Sequence, residues 1–281
     1  MKLLGWALGV LLLIGAGVAL MHWNRPRILL EGPAAEMPRR GLDQVDHAAF
    51  DALLKRYVDG DGLVAYGKWK ANAADVRALQ QYRASLGAVD LAQPAARSAQ
   101  LAFWINLYNA LTLEGILREY PTTSIRNHTA PVGGYNIWRD LLTTVDGKPY
   151  SLDAVEHEVL RHDLGEPRIH FALVCAAKGC PPLRNEAFTA ARVEEQLNDN
   201  ARRFFARPTN YRADAGTRTI QLSELLDWYG KDFGPTHEDQ LQALRPYFPE
   251  SAALDWLAHP NVAVKFLEYN WALNDQDAKP Q

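Results

Sequence analysis

The sequence predicts an α+β fold: a mainly helical single domain around a small sheet, preceded by an N-terminal transmembrane helix. Three observations carry this. Apolar residues recur at three and four along most of the chain, which is the helical period, while only short stretches alternate as strands do. Those strands are scattered and do not alternate regularly with helices, as a parallel βαβ sheet would require. Finally, "LLGWALGVLLLIGAGVALMHW", Leu3 to Trp23, has no formal charge, with Lys2 before it and Arg25 and Arg27 after it. At a rise of 1.5 Å per residue it spans about 30 Å, the thickness of a bilayer's hydrocarbon core.

In chain order, residues 1–24 read as a signal anchor, or as a signal peptide cut after the Gly17-Val18-Ala19 region. Residues 25–41, "RPRILLEGPAAEMPRRG", hold three prolines and mixed charge and read as a linker. One α+β domain is expected over 42–272, with a tail at 273–281. Within it, Phe50, Leu53, Leu54 and Tyr57 mark a first helix. The glycines of "DGDGLVAYGKW" break that helix and leave a short extended piece, Leu63 to Tyr66. Ala73 to Leu86 is a second helix, and a third runs from about Ala96 to Tyr120, stopping before Pro121. Ser151 caps the short helix "SLDAVEHEVLRHD". Ile169 to Cys175 reads as a strand, Thr189 caps "AARVEEQLNDNARRFF", and "TRTIQL" alternates as a strand. Ser223 then starts the helix "ELLDWYGKDF", and "NVAVKFLEYNWALN" supplies a last strand and its exit.

The bulk properties narrow the function classes. Apolar content is 48%, charged content 22% and the formal charge −3, so there is no basic footprint for nucleic acid. Two cysteines make no disulfide scaffold, and the His and Cys spacings match no zinc site. Neither a Gly-rich phosphate loop nor a GxSxG elbow is present. No cofactor and no metal are called for.

Two stretches carry polar residues where packing alone does not want them. In "LAFWINLYNALTLEGIL", Leu101 to Leu117, a helix apolar almost all round is interrupted by Asn106, Asn109 and Thr112. These fall within an arc of about 120° on one face. A buried amide without partners costs about 1–3 kcal/mol, so that face either ties down neighbouring loop backbone or lines a site. The second stretch, "RIHFALVCAAKGCPPLRNEAF", Arg168 to Phe188, holds both cysteines. As a regular strand it would point His170 and Cys175 to opposite faces, so a thiol–imidazole pair there needs a bulge or an early strand end. His157 lies about 165° from the apolar stripe of its own helix and reaches a site only if a second layer covers it. Cys175 and Cys180, five apart, are also within reach of a disulfide, or are core and corner residues. All three readings stand.

The motifs "FWINLYNALTLEGIL", "YNIW", "SLDAVEHEVLR" and "RIHFALVCAAKGCPPLRNEAF", in this order, resemble the domain of unknown function 547 family. The likeness runs from about residue 90 to 205, and more weakly through "LLDWYGKDFG" and "YNWALN". The family has no established activity. The resemblance implies a bacterial member held at the inner membrane by one span, with its domain in the periplasm, or one secreted there after signal cleavage. It gives weight to Trp104, Asn106, Tyr108, Asn109, Tyr135, Asn136, His157, His170, Cys175 and Cys180. Fusions of other members to glutaredoxin-like domains imply thiol chemistry by association. By fold-level analogy, a helix on a short sheet with Cys, His and Asn between them is similar to papain and transglutaminase-type enzymes. In those enzymes the catalytic cysteine sits where Asn106 stands here. The expectation is thiol-dependent amide or thioester chemistry. Cys175 would be the nucleophile, His170 or His157 the base, and Asn106 and Asn109 would orient groups or stabilise an oxyanion. Trp104, Tyr108, Tyr135, Asn136 and Cys180 would bind a peptide or small molecule. The alternatives are a non-catalytic periplasmic ligand- or peptide-binding module and a structural envelope protein.

Overall fold

The computed structural model describes residues 26–34, 37–130, 134–249 and 262–277. The predicted membrane segment lies outside them, and among the described residues no helix is long and apolar enough to cross a membrane. The chain enters through β1 (Ile28–Leu29) and then forms α1 (Ala48–Tyr57), α2 (Tyr66–Ala71), α3 (Ala73–Ser85) and α4 (Arg97–Glu119). The side chain of Asn72 caps α3 by accepting from the N–H groups of Ala74 and Asp75. The breaks at "DGDG" and before Pro121 fall where the sequence puts them.

Helix α4 is the axis of the domain. Every residue from Leu101 to Leu117 is buried, because α3, a π-helix and a helix near residue 200 pack around it. Gly115 lets the next segment come close, since a Cβ there would meet Leu141 Cδ2 at 2.9 Å. One buried ion pair crosses the α3–α4 contact: Arg83 donates to Glu114 at 2.8 Å. The guanidinium also reaches the Glu31 carbonyl at 2.7 Å and Thr143 Oγ1 at 3.3 Å. Satisfied on all sides, such a pair is tolerated in a core.

Beyond α4, the short α5 (Ile137–Asp140) leads into β2 (Leu141–Val145) and β3 (Lys148–Ser151). Asp146 and Gly147 turn this hairpin with φ of 49° and 74°, the left-handed pair of a type I′ turn. The Asp-Gly signal was in the sequence and the hairpin was not among the expected strands. β1 adds to β2 in parallel, so residues 25–41 are not wholly a linker. The apolar Ile28–Leu30 run finds an open strand edge, and Leu30 N–H donates to the Leu142 carbonyl at 2.8 Å.

The π-helix spans Ala154–Asp163, with the Ser151 hydroxyl accepting from Ala154 N–H at 3.1 Å. It is followed by α6 (Val193–Phe205), β4 (Tyr211–Asp214), β5 (Thr219–Ser223), α7 (Leu225–Tyr229), α8 (His237–Leu244) and β6 (Ala263–Leu267). β4, β5 and β6 form a second three-stranded sheet, antiparallel and then parallel. The fold is α+β as expected, with two small sheets in place of one among the described residues.

The predicted strand Ile169–Cys175 does not form. Pro167–Phe171 is a 3-10 turn, and the chain then runs without regular structure to about residue 189. A short apolar run reads alike as strand or buried turn, and here side chains of neighbouring helices take its backbone hydrogen bonds. The helix expected to begin at Thr189 begins at Val193. Leu273, Asn274 and Asp275, expected in a tail, are buried.

Candidate functional site

Backbone buried without regular structure must find other partners. The segment 171–189 finds them in four side-chain amides. Asn106 donates to the Phe188 carbonyl at 2.8 Å and accepts from the Phe188 N–H at 2.9 Å. Asn109 donates to the Ala172 carbonyl and accepts from the Val174 N–H, both at 3.0 Å. From α6, Gln196 bridges Ala187 and Thr189 in the same manner. Asn200 donates to the carbonyls of Phe171 and Pro182. Asn106 is fully buried and Asn109 nearly so. Their amides are spent on backbone, which positions the cysteine loop and leaves nothing aimed at a ligand.

That loop carries a disulfide between Cys175 and Cys180, with Cα atoms 6.3 Å apart. Ala176 turns the chain with φ of 56°, a left-handed conformation uncommon for alanine that recurs at functional sites. The C-terminal segment then docks alongside. Lys178 and Gly179 N–H groups donate to the carbonyls of Ala272 and Asn270, both at 2.8 Å, and Asn274 N–H donates to the Ala176 carbonyl at 3.1 Å. Gly179 is required for this approach, since a Cβ there would meet Asn270 N at 2.9 Å and the Tyr269 ring at 3.0 Å. The docking delivers the Tyr269 hydroxyl to both sulfurs, 3.0 Å from Cys175 Sγ and 3.0 Å from Cys180 Sγ. The Cys175 N–H also donates to Cys180 Sγ at 3.0 Å. Burial pushes the Tyr269 phenol far above its ordinary range, so it stays protonated and available as a donor.

The two sulfurs face a pocket of about 320 Å³. Cys180 is buried at 2% exposure, whereas Cys175 is partly open. One wall is aromatic: Trp228 and Trp271 stack at 5.7 Å, Tyr269 lies 4.6 Å from Trp271, and Trp138 meets Trp271 edge-on. The other wall comes from the π-helix, whose wider i→i+5 turn is itself frequent at functional sites. It contributes Glu156 and His157, and Asp153 at its N-cap lines the same wall. Glu156 accepts from Tyr108 at 3.1 Å, and burial with the nearby Glu156 charge raises the Tyr229 phenol above its ordinary range. Burial raises the Asp153 carboxyl above its ordinary value, against the lowering effect of His157 and Arg139.

At the back, His170 stacks on Tyr229 with ring centroids 4.1 Å apart and hydrogen-bonds Asp232 through Nε2 at 2.7 Å. Arg161 grips the same carboxylate with two bonds of 2.7 and 2.8 Å. Burial alone would hinder ionisation of Asp232, but the bonds from His170 and Arg161 outweigh it and hold the carboxyl well below the usual range. His157 is exposed on the rim, 3.1 Å from Arg161. The second layer that its exposure demanded is α7, with Tyr229.

The pocket therefore brings together Tyr108, His157, His170, Cys175 and Cys180 among the residues singled out from sequence. It leaves out Asn106 and Asn109, which act from behind. Trp104 packs between Phe103 and Tyr150, Tyr135 bonds Glu119 at 2.6 Å, and Asn136 caps α5 by accepting from the Trp138 N–H. No hydrogen bond joins Cys175 to either histidine among the described residues; its sulfur meets Cys180 and Tyr269. Sequence reasoning missed Glu156, Trp138, Trp228, Tyr229, Asp232, Tyr269 and Trp271. For all but Glu156 the signal was the recurrence of Trp and Tyr in "YNIW", "LLDWYGKDF" and "YNWALN", three stretches far apart in the chain and each polar enough to sit at a surface.

No curated protein and no solved structure matches this chain. Residues 92–205 match a sequence family, and that span holds Asn106, Asn109, the π-helix, His170 and both cysteines. Trp228, Tyr229, Tyr269 and Trp271, which line the pocket, and Asp232, which holds His170, lie beyond it. The family matched over residues 92–205 is described as Protein of unknown function, DUF547.

Proposed function

We propose that this protein carries out thiol–disulfide exchange at Cys175–Cys180, in a domain held outside the cytoplasm by the apolar N-terminal segment. The observation that carries the reading is the pair of donors on Cys180 Sγ, the Cys175 N–H and the Tyr269 hydroxyl, each at 3.0 Å. A thiolate from a substrate attacks the more open sulfur, Cys175 Sγ. The Cys175–Cys180 bond breaks, a mixed disulfide forms between substrate and Cys175, and Cys180 leaves as a thiolate. The two donors stabilise that leaving thiolate, and a better-stabilised leaving group speeds exchange. A second thiol of the substrate then attacks the mixed disulfide, releasing oxidised substrate and the Cys175 thiol. Two electrons have passed to the protein, and a small-molecule disulfide such as oxidised glutathione restores it. His170, oriented by Asp232 in the same pocket, is the base for the incoming thiol.

The test is trapping. In the full chain with Cys180→Ser, Cys175 has no resolving partner, so incubation with oxidised glutathione should accumulate a mixed disulfide at Cys175, with one reduced glutathione released, seen by intact mass. Cys175→Ser should accumulate far less, because Cys180 is buried. A native disulfide that resists reduction until the protein unfolds, or equal trapping by both variants, would overturn the proposal in favour of a structural bridge.

A further inference from the structure

The pocket's walls specify the charge of what enters it. Trp138, Trp228, Trp271, Tyr229 and Tyr269 present rings to it, and no lysine or arginine is among the residues that line it. The charged groups that do line it are the carboxylates Asp153 and Glu156, with His157 and His170. The two carboxylates differ. Asp153 is answered by Arg139 at 3.4 Å. Glu156, half-buried, makes no ion pair among the described residues and accepts a hydrogen bond from the Tyr108 hydroxyl. A carboxylate drawn out of water needs a counter-charge. Aromatic faces attract cations through the ring quadrupole, and two of these rings already do so from outside the pocket. Arg126 lies 5.2 Å from the Trp271 ring centroid and Arg161 lies 5.1 Å from that of Tyr229. Trp228, 43% exposed, is one of two large apolar side chains left open among the described residues, and it stands at this wall.

We propose that the pocket binds an organic ammonium ion, its cationic head between Glu156 and the tryptophan wall and its apolar substituents against the rings. The ligand supplies the direct ion pair that Glu156 does not make among the described residues, where Arg161 acts on it only from a distance. A neutral ligand of the same shape would gain the apolar contact and forgo both the cation–π attraction and the carboxylate. Binding needs no turnover and is measured on the oxidised protein, so this site and the exchange chemistry fail or stand separately.

The experiment titrates the oxidised full chain with choline and with tetramethylammonium, read by the fluorescence of the lining tryptophans and by calorimetry. The comparison ligand is dimethylbutanol, the uncharged carbon isostere of choline. Choline should bind more tightly than the isostere by about tenfold, the scale of a desolvated cation–π contact. Glu156→Gln should erase most of that preference while leaving the thermal midpoint close to that of the parent, and Trp228→Ala should weaken choline without touching Glu156. Equal affinity for choline and dimethylbutanol would overturn the proposal, leaving an apolar pocket only. So would the absence of saturable binding of either cation into the millimolar range, or an undiminished preference in Glu156→Gln.

Discussion

Asn109→Leu tests whether the buried asparagines hold the cysteine loop. In the native protein the Asn109 amide satisfies one carbonyl and one N–H, on Ala172 and Val174, both at 3.0 Å and both shut away from water. Leucine is close in size but pairs with neither. Each orphaned buried group costs about 1–3 kcal/mol, so the expected loss is about 2–6 kcal/mol. For a domain of ordinary stability, about 5–15 kcal/mol, that is a large share. Urea denaturation of the full chain followed by circular dichroism should show a lower midpoint with an unchanged slope. A second readout is local. Residues 172–174 lead directly into Cys175, so the disulfide of the variant should be reduced faster than that of the parent under native conditions. A midpoint shift worth less than about 1 kcal/mol would refute the reasoning, since it would mean that the loop backbone finds other partners.

Two further outcomes follow from the same structure. His47 bonds the Tyr82 hydroxyl at 2.7 Å, and burial chiefly, opposed by Asp46 and aided by Arg40, lowers its pKa from 6.5 to about 4. The unfolded chain therefore takes up a proton between these values while the folded chain does not, so stability should fall as the pH drops from 6.5 to about 4. His47→Gln should flatten that limb in urea midpoints measured across the window, and an unaltered slope would show that His47 is not its source. For localisation, the apolar run from Leu3 to Trp23 should keep the full chain in the membrane pellet through an alkaline carbonate wash; release to the supernatant would exclude a membrane-spanning anchor.

Much of the fold was legible because it rests on local rules. The 3.6-residue period and the proline at 121 bound α4 to within a residue or two, and the polar interruptions at Asn106 and Asn109 announced partners outside their own helix. The "TRTIQL" strand and the helix at Ser223 likewise follow from alternation and capping. The cysteine loop was not legible in that way. Its apolar run fits a strand by composition, and whether it becomes one depends on what offers it hydrogen bonds. Asn106, Asn109, Gln196 and Asn200 offer them from two helices that are distant in sequence, and no local pattern in residues 168–188 records it.

The sequence by itself determined that Asn106 and Asn109 are buried polar groups needing partners, and it singled out two cysteines and two histidines as candidates for chemistry. Tertiary structure alone decided their company. It set Cys175 against Cys180 and Tyr269, and not against a histidine, because the C-terminal segment docks on the loop where Gly179 leaves room. It gave His170 to Asp232, and Glu156 to Tyr108, through side chains separated by dozens of residues. Side-chain period and propensity act over a few residues. Hydrogen bonds and close packing act over a few ångströms, and only the folded chain makes those two distances correspond.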